Sequence, residues 1–175
     1  MRFAELFSFC PVCGASGFSI NNEKSKRCID CGFVMYVNPS AAVAAFIINK
    51  NDELLVCVRG KNPEKGTLDL PGGFVDENET AENAMIREIY EELNGEVTEI
   101  NYLFSLPNTY LYSGWTIPTL DLFFAVKLKD FTVLKPADDV SNFQFIAVKD
   151  LDSELFGLKS IKKAISILRN KADIE

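Results

Sequence analysis

The sequence predicts an α+β fold, a mixed sheet with flanking helices, behind a small cysteine-rich module. Three observations predict it. Short apolar runs bounded by turn residues recur between residues 39 and 148, as strands do. The interval Thr80 to Leu93 is free of Gly and Pro and carries apolar residues at helical spacing. Four of the five cysteines fall within residues 1–38, in two copies of one short motif.

Asn38-Pro39 marks the junction, because the residue before proline is pushed toward extended geometry. The run Ala41 to Ile48 reads as a buried strand and Glu53 to Arg59 as a second. With the turn Asn49-Lys50-Asn51-Asp52 between them, the two are expected to form a hairpin. Residues 60–72 hold three glycines and two prolines and read as a loop. In the helix, Ala81, Ala84, Met85, Ile89 and Leu93 share one face, Thr80 suits the N-cap, Glu82 the first turn, and Asn94-Gly95 the stop. Further strands are expected at 96–106, 119–128 and 142–148, and a closing amphipathic helix from Ser160 to Asn170. Strands with a helix among them and another after them fit a mixed sheet. The expected division is a module over 1–38 and a domain over 39–175.

A chain of 175 residues has room for one medium domain and an appendage. The net charge of −7 argues against binding a polyanion such as nucleic acid, which needs a basic face. A small phosphorylated substrate stays open, because bound divalent cations reverse local charge. The N-terminus lacks an apolar leader, and no apolar run approaches the roughly 20 residues that span a bilayer. The expected location is therefore cytoplasmic, without a membrane partner. There cysteines stay reduced, and paired ones suggest metal.

Cys10-Pro-Val-Cys13-Gly14 and Cys28-Ile-Asp-Cys31-Gly32 are two CxxCG knuckles. Two such turns supply four thiolates for a closed tetrahedral zinc shell, which points to a structural Zn²⁺ ribbon. Each trailing glycine permits the positive φ such a turn needs. A redox pair, or a ribbon that touches nucleic acid, are the other readings, and the nearby bases are few (Lys24, Lys26 and Arg27). Cys57, alone in a strand, reads as a small buried apolar residue.

Glu88, Glu91 and Glu92 stand at i, i+3 and i+4, on one helical face. Like charges so spaced destabilise a helix, and a hard divalent cation would relieve them. Arg87 offers a planar fork to orient Glu79 or Glu91, and the Pro71-Gly72-Gly73 turn lets backbone approach the same place. Taken alone, Glu-x-x-Glu-Glu reads as a solvated acidic face; the glycines, Glu79 and Arg87 change that.

Together these residues resemble the Nudix box, G-x5-E-x7-R-E-U-x-E-E-x-G-U with U bulky and apolar. Gly73, Glu79, Arg87, Glu88, Ile89, Glu91 and Glu92 match, and Leu68 to Val75 is similar to the family's lead-in. The final G-U is replaced by Asn94-Gly95. The resemblance implies a Nudix α/β/α sandwich over 40–170, with Glu88, Glu91, Glu92 and the Gly72 carbonyl binding Mg²⁺ or Mn²⁺. The metals would activate water and neutralise a diphosphate. Glu79 and Arg87 would organise them. The chain has no histidine, and the family's separate base is often a carboxylate in a later loop. Asp138 and Asp139 are the candidates, although the pair reads equally as an acidic turn after Pro136.

A zinc ribbon ahead of this box resembles the NADH pyrophosphatase subfamily, but its S-Q-P-W-P-F-P signature is absent from Ser105 to Trp115. Tyr110, Tyr112 and Trp115 are candidates to stack on a base, or to pack a loop on the core. Arg59 is a candidate phosphate contact, or a surface arginine. The substrate expected is a small nucleotide derivative, ADP-ribose or a nucleotide sugar first, and the resemblance admits a homodimer. The alternative is a nucleotide-sensing module on the same fold. An allylic diphosphate isomerase fits poorly without histidine ligands.

Overall fold

The computed structural model describes residues 6–172. Strands β1 (Phe18–Asn22), β2 (Ser25–Cys28) and β3 (Val34–Tyr36) form an antiparallel sheet in chain order. Its small core is Cys10, Phe18 and Cys28, with Phe33 and Met35 packed against them.

Beyond residue 39 come β4 (Ser40–Phe46), β5 (Glu53–Arg59), β6 (Leu68–Asp69), α1 (Ala81–Leu93), β7 (Val97–Tyr112), β8 (Trp115–Leu128), β9 (Val140–Ala147) and α2 (Lys159–Ala172). They make two three-stranded sheets, β4-β8-β7 and β6-β5-β9. The β4–β8 pair is parallel and the others antiparallel, so the expected mixed sheet is present.

The central strands are apolar on both faces. Val43, Ala45, Leu55, Phe124 and Val126 pack with Met85, Ile89 and Leu93 of α1. Their neighbours Ala44, Phe46, Leu54, Val56 and Phe123 pack with Ile161 and Ile165 of α2. Helices thus cover both faces of strands buried between them, and that is why β4 reads as an unbroken apolar run rather than an alternating one. Cys57 belongs to the α1-side core, at 1% exposure, as expected.

The helix ends are where the sequence puts them. The Thr80 hydroxyl accepts the Asn83 N–H at 3.2 Å, and Asn94 closes α1 in left-handed geometry at φ 54°.

Two expectations are corrected. β4 and β5 do not form a hairpin: they lie in different sheets, joined only by the Ile48–Leu54 bridge and its flanking bonds. The Asn49 side chain accepts the N–H groups of Asn51 and Glu53, which turns the chain at a corner. Each strand then finds a longer partner, β4 in β8 and β5 in β9. Second, the interval 107–118 is not a loop. β7 and β8 run through it as one long hairpin, turning at Ser113 (φ 50°) and Gly114 (φ 82°). Pro107 and Pro118 hide the strands in the sequence. Pro107 is tolerated because β7 is an edge strand, and Pro118 lies one residue before β4 begins to pair with β8 at Thr119.

Candidate active site

The segment after β6 runs beside β4: the Val43 N–H donates to the Gly73 carbonyl, and the Ala45 N–H to the Pro71 carbonyl. Between these two, the Gly72 carbonyl accepts no hydrogen bond among the described residues. Gly72 has φ 149°, and a Cβ there would stand 2.0 Å from the Val43 oxygen. A Cβ on Gly73 would stand 2.5 Å from the Glu88 carboxylate. Gly72 therefore demands glycine, and at Gly73 the missing side chain seats Glu88 against bare backbone.

On α1, the fully buried Met85, Ile89 and Leu93 anchor the helix and leave Glu88, Glu91 and Glu92 facing a cavity of about 310 Å³. Glu92 is 6% exposed and accepts one hydrogen bond, from the Gly72 N–H at 3.0 Å. Burial, reinforced by the nearby Glu88, Asp69 and Asp139 carboxylates, pushes its carboxyl up to about 9, against the pull of that N–H. Burial also raises Glu88, although Arg87 beside it acts the other way.

Arg87 is the hub of this cluster. Its guanidinium grips Glu79 through two bonds of 3.0 Å and donates to Glu88 at 2.7 Å, Glu91 at 3.1 Å and the Phe74 carbonyl at 2.9 Å. The Glu79 carboxyl is held below its usual range by Arg87 and by the Asp76 N–H. Glu79 lies behind the cavity wall and touches Arg87 rather than the cavity.

The remaining candidates divide. Arg59 lines the cavity but is not a free cation: it pairs with buried Asp69 and donates to the Pro63 carbonyl at 2.7 Å and the Tyr110 hydroxyl at 3.2 Å. Tyr110 lines the cavity and packs edge-on against Phe74, with ring centroids 5.4 Å apart. Tyr112 and Trp115 do not line it. They flank the tip of the β7–β8 hairpin, 60% and 50% exposed. Asp138 and Asp139 stand in the cavity wall, both paired with Lys61, which draws the Asp138 carboxyl below its usual range.

Sequence reasoning missed three cavity residues on the long hairpin, Asn108, Thr119 and Asp121, along with Asp69. Asp121 had a signal: it interrupts the apolar run of β8, where a charge demands partners.

In the N-terminal sheet, the four knuckle sulfurs lie within 4.8 Å of one another. The Cys10–Cys31 distance is 3.7 Å and the Cys13–Cys28 distance 3.6 Å. Both knuckles close as expected, with Gly14 at φ 73° and Gly32 at φ 76°. Burial pushes Cys10 up, but the N–H groups of Cys13 and Val12 outweigh it and bring the thiol down to about 7. Cys13 is drawn down by the Ala15 N–H but driven up by Cys31, by burial and by its other sulfur neighbours, to about 12. Thiolates this close together repel one another, and a cation among them would relieve that repulsion.

Among the described residues no helix is long and apolar enough to cross a membrane.

Known proteins of this kind share both sequence and fold. The chain is 27% identical over 152 residues to the NAD-capped RNA hydrolase NudC of Deinococcus radiodurans, an alignment that covers 85% of this chain and 52% of that protein. It is 48% identical over 58 residues to the ADP-ribose pyrophosphatase of Methanocaldococcus jannaschii, about a third of each chain. The chain thus spans about half the length, or less, of these curated relatives. A NUDIX hydrolase from Nitrosomonas europaea superposes with a TM-score of 0.72 at 21% identity, covering 94% of this chain and 92% of the other. The NUDIX domain model matches residues 38–166, and the chain belongs to that family.

Proposed function

We propose that the chain is a divalent-metal-dependent hydrolase that cleaves the phosphoanhydride of a nucleoside diphosphate derivative. The observation that carries this is charge. Eight carboxylates line the cavity against two guanidinium groups, Arg59 and Arg87, and both of those are already committed to carboxylates. A diphosphate meets net repulsion there unless cations enter with it. Glu88, Glu91, Glu92 and the unpaired Gly72 carbonyl are all oxygen donors, the set a hard cation takes. When bound, Mg²⁺ or Mn²⁺ neutralises the diphosphate and makes water a nucleophile near neutral pH.

The chain's own residues do the rest. Arg87 fixes the rotamers of Glu88 and Glu91 and is itself fixed by Glu79. Asp138 and Asp139 are the bases available to take the proton of the attacking water. Lys61 keeps Asp138 ionised for that task. Arg59, held by Asp69, places the Tyr110 hydroxyl and serves as a positioning group rather than a phosphate clamp.

Residues 1–38 serve as a structural zinc ribbon beside the hydrolase domain of 39–175. Zinc–sulfur bonds of about 2.3 Å imply tetrahedral edges of about 3.8 Å, close to the sulfur separations of 3.6 and 3.7 Å. Reduced thiolates suit a cytoplasmic setting.

The likeness to an NAD-capped RNA hydrolase and an ADP-ribose pyrophosphatase favours ADP-ribose or an NAD-derived compound as substrate. The test is turnover of ADP-ribose, NADH, FAD, nucleotide sugars, dinucleoside polyphosphates, nucleoside triphosphates and NAD-capped RNA with Mg²⁺ or Mn²⁺, with Glu92→Gln run alongside. Hydrolysis of one compound, lost in the variant, supports the proposal. Binding without turnover of any compound replaces it with nucleotide sensing.

A further inference from the structure

Tyr110 stands in the cavity wall with one hydrogen bond made and one to give. Its hydroxyl oxygen accepts an N–H from the Arg59 guanidinium at 3.2 Å. A guanidinium has only donors, so the phenolic proton points elsewhere. It meets no acceptor among the described residues. Arg59 is held from two further directions, by the Asp69 carboxylate and by the Pro63 carbonyl at 2.7 Å, and keeps one further N–H on each terminal nitrogen. Arg59, Asp69 and Tyr110 all line the cavity, which places the hydroxyl bonded to Arg59 in its wall. The Tyr110 ring packs edge-on against Phe74, and the Arg59 guanidinium carbon lies 6.0 Å from its centroid. These contacts fix the ring, and what it presents at the guanidinium end is an O–H.

Electrostatics says which acceptor suits that donor. Asp69 cancels the charge of Arg59, so the cluster as a whole is neutral. An O–H bonded through its oxygen to a cation is nonetheless a stronger donor than a free one. The partner that gains most from it is an anionic oxygen. Position agrees. Phe74, against which the ring packs, follows the Gly73 that seats Glu88, and its carbonyl accepts from Arg87 at 2.9 Å. Tyr110 is thus one residue removed from the carboxylate group of α1, where the diphosphate is proposed to lie. From these we infer that the Tyr110 hydroxyl is a substrate contact, donating a hydrogen bond to a non-bridging oxygen of the diphosphate. Arg59 is the positioning residue that aims and polarises it. The inference deepens the proposed hydrolase reading and rests on it for the identity of the ligand.

Tyr110→Phe removes the hydroxyl and keeps the ring; Tyr112→Phe makes the same change at the hairpin tip, outside the cavity. The test is calorimetric titration of the full chain and both variants, in Mg²⁺, with α,β-methylene-ADP, a diphosphate whose carbon bridge resists hydrolysis. Tyr110→Phe is expected to bind it about tenfold more weakly, through loss of one hydrogen bond to a charged oxygen, and Tyr112→Phe within about twofold of the unsubstituted chain. Equal affinity of Tyr110→Phe and the unsubstituted chain overturns the inference, as does equal weakening in Tyr112→Phe, or failure of the unsubstituted chain to bind. A loss of the same size for adenosine overturns it too, since adenosine has no phosphate. Weakening in Tyr110→Phe without turnover of any diphosphate would sink the hydrolase reading and leave this one standing; turnover with kcat/KM unchanged in Tyr110→Phe would do the reverse.

Discussion

Replacing Glu92 by Gln removes a titratable carboxyl from a position that is 6% exposed while keeping an oxygen for the Gly72 N–H. The free carboxylate has one hydrogen bond and three carboxylate neighbours, and its pKa stands at about 9 against an ordinary 4.5. A carboxyl so raised binds its proton more tightly folded than unfolded. Its favourable contribution is complete below pH 4.5 and drains away as pH rises toward 9. In Mg²⁺-free buffer the native chain should therefore lose stability across that window, while the Gln variant, uncharged throughout, should not. Water in the open cavity screens part of the charge, and roughly 1–2 kcal/mol remains. For a domain of this size that is a Tm higher by about 2–5 °C in the variant at pH 8.5, with near equality at pH 5. Millimolar Mg²⁺ should reverse the order, because only the native carboxylate gains by binding it, and hydrolysis by the variant should fall by about 10²–10³. Differential scanning fluorimetry at both pH values, with and without Mg²⁺, reads all of this. A variant less stable than the native chain at pH 8.5 without Mg²⁺ would refute the idea that Glu92 is held at a cost in stability.

Arg87→Lys keeps the charge but loses the fork that joins Glu79, Glu88, Glu91 and the Phe74 carbonyl; kcat/KM should drop by about 10- to 100-fold, with Mg²⁺ affinity from calorimetry falling in step. Cys28→Ser removes a fully buried sulfur from a module whose core is only three residues. Zinc content by elemental analysis should fall from one per chain toward zero, and the module's amide protection from exchange should vanish. Trp115→Ala and Tyr112→Ala, at the exposed hairpin tip, should leave kcat/KM within about twofold, whereas Tyr110→Ala should reduce it by about tenfold through loss of its contacts with Arg59 and Phe74. Steady-state kinetics on one hydrolysed substrate separates the three.

What the sequence discloses here is whatever is local. α1 is legible to its caps because Thr80, Asn94 and the apolar stripe all act within a few residues of chain. The CxxCG knuckles are legible for the same reason. Pairing across long separations is not. Nothing near Ala41 to Phe46 announces that β4 will lie parallel to a strand nearly 80 residues later, and the turn after it resembles a hairpin loop. The tip Ser113-Gly114 does carry a turn signal, but Pro107 and Pro118 mask the strands on either side. In the sequence the aromatics of that region therefore read as one group. In the folded hairpin Tyr110 faces the cavity, while Tyr112 and Trp115 sit beyond its reach.

Arg59 shows how much such placement matters to function. In the sequence, at a strand end before a glycine-rich loop, it reads as a candidate phosphate contact. In the fold its charge is taken by Asp69, whose carboxyl burial pushes up even against the pull of Arg59. Arg87 is likewise spent on glutamates. Both arginines thus hold the shape of an anionic cavity instead of attracting an anion into it. On the proposed hydrolase reading, selectivity for a metal-bound diphosphate over a free one follows from that arrangement. A cavity with a free arginine would hold a bare diphosphate tightly, and would gain little when the cation arrived. Here nearly all the attraction for phosphate must come with the cation, so the site responds to the pair and not to either part.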